Sequence, residues 1–168
     1  MTIGIAEVLP FAIGGAISPV PIIAVIVMLF TSRATVNGPM FLIGWAVALA
    51  VVSGVAFLAG DAVSEGTTAD AVSWSRVLFG GLFVVLAVRT WSKRAPAGEA
   101  PEPPTWMAGI DSFSPVKALT LALLLAGVNP KNLLLAAGAG GAVAGLGLPT
   151  TEAVVSLAAF VIVASISI

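Results

Sequence analysis

The sequence predicts an all-α integral membrane protein built as an inverted repeat of three transmembrane helices, and three observations carry that expectation. The chain of 168 residues is 59% apolar and only 9% charged, with a mean hydropathy of +1.13. A soluble domain has roughly a quarter of its residues charged. Five apolar stretches are of the length that crosses a bilayer, about 20 residues. Two of them are interrupted near the middle by a polar, proline-containing tetrapeptide: Ser18-Pro19-Val20-Pro21 and Asn129-Pro130-Lys131-Asn132.

The five candidate spans run from 8 to 31, 39 to 60, 74 to 92, 115 to 147 and 151 to 168. Pro39 opens the second. The third is bracketed by Trp74 and Trp91, about 26 Å apart in helical rise, which suits aromatic anchors at the two interfaces. Arg76 and Arg89 lie near its ends and can snorkel. The fourth would be about 48 Å long as a single helix, too long for one straight span, so a break is expected at Asn129 to Asn132. Abundant glycine and alanine fit close helix packing. Gly80-Gly81 and the run Gly138, Gly140, Gly141, Gly145 and Gly147 read as close-contact positions, the latter alternatively as a loosened gate.

Lysine and arginine set the orientation. Arg33 lies between spans one and two, and Arg89, Lys93, Arg94 and Lys117 surround the connection between spans three and four. The connection between spans two and three holds Asp61, Glu65 and Asp70. The positive-inside rule therefore predicts a multi-pass protein of the cytoplasmic membrane with its N-terminus outside. Glu7, Glu152 and Asp111 sit just before spans and read as interfacial or N-terminal helix charges. Residues 95–105, with Pro96, Pro101, Pro103 and Pro104, read as an extended cytoplasmic linker. Residues 1–7 carry no basic side chain, so no cleaved signal peptide is expected.

Placing Pro19 on Pro130 sets an offset of 111 residues, the difference between 130 and 19. Pro39 then falls beside Pro149, at the start of span five. Three spans precede the second copy, an odd number, so the copies must be inverted, an arrangement of many secondary transporters. The expected organisation is a first repeat over 1–92, a linker over 93–111 and a second repeat over 112–168. The same offset implies five spans, with the fifth cut short and a sixth missing.

The paired breaks are the candidate substrate site: Ser18, Pro19, Pro21, Asn129, Pro130, Lys131 and Asn132. Proline removes an i→i−4 hydrogen bond, so the carbonyls of Gly14 to Ile17 need other partners. Each restarted helix should aim its amides and positive dipole end into the protein. Lys131 lies about 21 Å of helical rise beyond Lys117, deep in the bilayer. It can hold an anionic substrate group, pair with a carboxylate, titrate in proton coupling, or snorkel.

Cysteine and histidine are absent, which removes thiol chemistry and nearly every zinc or copper site. No catalytic residues, metal ligands or cofactors are expected, and no enzyme. A net charge of −1 offers no surface for nucleic acid.

With the Ser-Pro-Val-Pro segment early in span one, the Asn-Pro-Lys-Asn segment in span four and the three-plus-three layout, the chain resembles the LysE-type exporter superfamily. It is most similar to the actinobacterial GAP, or Sap, branch, which addresses glycolipids and peptidolipids to the cell surface. Amino-acid exporters of the superfamily usually carry Pro-Gly-Pro where this chain has Pro19-Val20-Pro21, which favours the lipid-associated branch. The resemblance implies an exporter of a polar or acidic amphiphile, such as a glycolipid or peptidolipid, working by alternating access around spans one and four. A non-transporting scaffold subunit of a lipid-export complex and a LysE-type amino-acid exporter are the alternatives. Expected partners are membrane lipids and the small-molecule or lipid substrate, with a homo-oligomer or lipid-export complex as the assembly.

Overall fold

A computed structural model of the chain describes residues 2–66 and 113–168, together with Gly81, Val84, Val85, Val88, Arg89 and Ser92; the side chains of 61–66 are not described. The tryptophan bracket of span three, Arg76, Lys93, Arg94, the side chains of the acidic connection, Asp111 and the proline-rich linker all lie outside the described residues. Among the described residues six helices are delimited: α1 (Thr2–Ala16), α2 (Pro19–Leu29), α3 (Ala34–Gly66), α4 (Pro115–Gly127), α5 (Pro130–Ala144) and α6 (Thr150–Ala164).

Both expected breaks are present, and proline makes them. The residue before a proline is pushed out of the helical region by the pyrrolidine ring. Ser18 accordingly has φ −118° and ψ 100°, and Asn129 has φ −62° and ψ 120°. Each proline then opens the next helix, where its missing N–H matters least. The chain bends by 57° between α1 and α2 and by 66° between α4 and α5. Within α3, Ala34–Gly60 is long and apolar enough to cross a membrane by itself, and each bent pair is so only when its two helices are taken together. At 15 residues, α6 is a shorter apolar helix.

Some boundaries differ from those expected. The first helix starts at Thr2 instead of residue 8, because Glu7 points outward and does not interrupt it. Pro39 lies inside α3, where its exposed ring costs the helix one hydrogen bond near its start. The last helix ends at Ala164 in a turn.

Packing depends on small residues, as it must where lipid removes the hydrophobic drive between helices. Along α4, Ala118, Ala122 and Ala126 are spaced four apart and fully buried. Gly44 of α3 lies against Leu119 and Ala122, and Ala48 against Gly127. Further along, Ser53, Ala56 and Phe57 meet Gly140 of α5, and Gly60 meets Ala144. So α3 runs beside α4 and then α5 in the same direction. Likewise Gly4 of α1 meets Ser156 of α6, and Gly15 meets Ala164. Against α5, by contrast, α1 is antiparallel: Phe11 touches Gly138 and Gly14 touches Leu135. Trp45, Phe41, Phe160 and Met28 fill the centre.

Candidate functional site

The two breaks meet. Pro21 has no N–H to offer the carbonyl of Ile17, four residues earlier, so that acceptor needs a donor from elsewhere. It accepts a hydrogen bond from Lys131 Nζ. Ala16, the last residue of α1, has its carbonyl bonded by the Ser167 hydroxyl at 2.6 Å. Both donors come from the second half of the chain.

At the second break, the Asn129 amide reaches back to the Leu124 carbonyl at 3.2 Å, so the carbonyl of Leu125 takes its hydrogen bond from Asn132 Nδ2, at 2.9 Å. Asn129 caps its own helix, its Oδ1 accepting from the Lys131 amide at 3.1 Å. That is ordinary N-cap chemistry, and it engages Asn129 within its own break.

The donor and acceptor directions follow by elimination. Asn132 must present its NH₂ to the Leu125 carbonyl, so its Oδ1 faces Ser18 and accepts from the Ser18 hydroxyl at 2.8 Å. The Ser18 oxygen then has only lone pairs to offer Lys131, whose Nζ donates to it at 3.2 Å. An ammonium has three hydrogens and no acceptor. Two go to neutral oxygens, Ile17 O and Ser18 Oγ. The third has no partner among the described residues. Ser18 and Asn132 are 2% and 1% exposed, whereas Lys131 is exposed, so a buried polar pair carries an accessible cation.

Of the expected site residues, the structure brings Ser18, Lys131 and Asn132 into one network. Pro19 and Pro130 act by turning the residue before each of them out of the helical conformation, and Pro21 acts through the hydrogen bond it cannot make. Pro21 is buried, and Pro19 is exposed. The anion cradle expected at the start of α2 is weak for the same reason: of its first three residues only Val20 has an N–H. The Ser18 side chain does not cap that helix: the residue at N3 is Pro21, which has no N–H to donate, and the Ser18 oxygen accepts from Lys131 instead. Positive charge at this place therefore comes from Lys131.

Sequence reasoning missed Ser167 and Trp45, whose Nε1 donates to the Ala164 carbonyl at 3.3 Å. It also missed Asn37, whose Nδ2 donates to the Phe113 carbonyl at 3.0 Å and ties the start of α3 to the entrance of α4. An isolated polar side chain in an apolar run is the only signal these residues give. The glycine run is resolved by position: Gly138 and Gly140 sit under neighbours, Gly141 is open, and Gly147 has φ +58° in the turn before α6.

Neither a curated protein nor a solved structure matches this chain. The family model described as Sap, sulfolipid-1-addressing protein, matches residues 8–168, a stretch that includes both breaks and every side chain of the network. This membrane protein belongs to the Sap, sulfolipid-1-addressing protein, family.

Proposed function

We propose that the chain is an exporter of an anionic amphiphile across the cytoplasmic membrane, and that the head group binds where the two broken spans meet. One observation carries the reading: an accessible ammonium with an uncommitted hydrogen stands on a fully wired polar pair at the crossing of two helix breaks. In lipid, irregular backbone survives where it is buried in protein or lines a cavity. A charged side chain at such a place marks a substrate or ion path. The family name speaks of a sulfolipid, and a sulfate ester is a monoanion with acceptor oxygens only, complementary to a lone ammonium donor.

An inverted pair of repeats supports alternating access. The antiparallel run of α1 on α5, and the parallel runs of α3 on α4 and of α6 on α1, are the relations such a pair produces. Rocking of one repeat against the other would then expose the head-group site to each leaflet in turn. The N-terminus lies outside in this reading.

Reconstitution tests it. Purified protein in liposomes should move a sulfated glycolipid between leaflets, and Lys131→Gln should slow that movement at least tenfold. Transport unchanged by Lys131→Gln and by Lys131→Ala would remove the site. A folded wild-type protein that moves no lipid unaided would favour the scaffold reading.

A further inference from the structure

We infer that Lys131 is the latch of the first break: its ammonium closes the α1–α2 joint by holding the Ile17 carbonyl, and an anionic head group opens the joint by drawing the ammonium away. This rests on the head-group reading above and adds how occupancy is converted into movement.

Three independent features of the molecule support it. First, the Ile17 carbonyl has no alternative partner within the helix, because the residue four positions on is Pro21. No straightening of the α1–α2 joint can supply the missing amide. Second, the bonds Lys131 makes are to neutral oxygens, whereas an anionic head group adds the attraction of opposite charges to the hydrogen bond. The four-carbon stem lets the ammonium follow an anion. Third, the two breaks differ in how they would respond. The Leu125 carbonyl is held by the neutral amide of Asn132, which has no charge with which to follow an anion, so the second break stays closed.

The packing matches this asymmetry. Ile17, Val20, Ile23 and Ile26 around and after the first break are exposed, whereas α5 is wedged between α1 and α3. Once Lys131 leaves, the Ile17 carbonyl must hydrate or the joint must move, since an unpaired backbone acceptor is not tolerated in lipid. Either change loosens α2 while α5 keeps its seat.

Amide hydrogen exchange on the full chain in phosphatidylcholine vesicles, with or without about a tenth of sulfated galactolipid, tests the latch. For the wild type, the sulfated lipid should speed exchange of residues 17–23 several-fold and leave 129–133 unchanged. Lys131→Ala should exchange fast at 17–23 without the lipid, and Lys131→Arg should keep the protection.

Wild-type exchange that ignores the sulfated lipid, while the purified protein retains that lipid better than Lys131→Ala does, overturns the latch and leaves the head-group reading standing. Equal retention by both proteins overturns the head-group reading instead. In that case slow exchange in lipid-free Lys131→Ala would overturn the latch as well, and fast exchange would preserve its closing half.

Discussion

The helices that restart after the two breaks are built from opposite materials. α2 reads PVPIIAVIVML and leaves Val20, Ile23, Ile26 and Leu29 exposed. α5 reads PKNLLLAAGAGGAVA and buries Asn132, Ala136, Ala139, Gly140, Val143 and Ala144. Bulky β-branched chains make a surface for lipid tails, and small residues let backbones approach. At Gly140 that approach is at its limit: a Cβ there would lie 2.1 Å from the Ser53 carbonyl oxygen. At Leu29, the matching position under the 111-residue offset, 57% of the residue is exposed. The same motif, a proline restart after a bend, thus serves a lipid-facing arm in one half and a fixed keel in the other.

The largest expected effect comes from forcing the keel off its seat. Gly140→Ala should destabilise the protein by about 3 kcal/mol or more, at the upper end of overpacking costs, read as a lowered unfolding midpoint in detergent. Gly141→Ala, with open space at its Cβ, should be neutral or stabilise by up to about 1 kcal/mol through helix propensity. If the two substitutions behaved alike, the contrast between arm and keel would be wrong.

Next in size is Asn132→Ala. It leaves both the Ser18 hydroxyl and the Leu125 carbonyl without their partners, at about 1 to 3 kcal/mol. Thermal melts of this variant beside Ser18→Ala and the double substitution should show strong non-additivity, because the two groups form one network.

Exchanging the breaks sharpens the comparison further. In Val20→Lys combined with Lys131→Val, the lysine moves to the matching position of the first break. It should not restore transport lost in Lys131→Val, since the residue matching Ser18 is Asn129, whose Oδ1 is already held by the amide of residue 131. Full recovery in a liposome flux assay would mean the two breaks are equivalent. The smallest effect is expected at the arm's surface, where Ile26→Ala should change the unfolding midpoint by no more than about 0.5 kcal/mol in equivalent stability.

The breaks were legible because proline acts locally: Pro19 and Pro130 dictate the backbone of the residues before them, whatever surrounds them. Their meeting was not. Superposing the repeats sets Ser18 opposite Asn129, yet its partner is Asn132, one helical turn further on. Which turn faces Ser18 depends on bends of 57° and 66° and on how deep Gly140 lets α5 sink against α3. Those are tertiary quantities that no spacing encodes. Lys131 stood out in the sequence through its charge alone, whereas the acceptor it holds is a backbone oxygen, invisible in any residue pattern. Ser167 and Trp45 likewise serve carbonyls at helix ends, Ala16 and Ala164, that only the fold exposes.

The fixed orientation of the Asn132 amide has a consequence for protons. From Lys131 the hydrogen bonds run to the Ser18 hydroxyl, on to Asn132 Oδ1, and end where the Asn132 NH₂ meets the Leu125 carbonyl. A relay needs every member to accept a proton on one side and release one on the other, and a carboxamide closed on a peptide carbonyl does neither. The chain is a cul-de-sac: any proton gained or lost by Lys131 must enter and leave on the lysine's own accessible side.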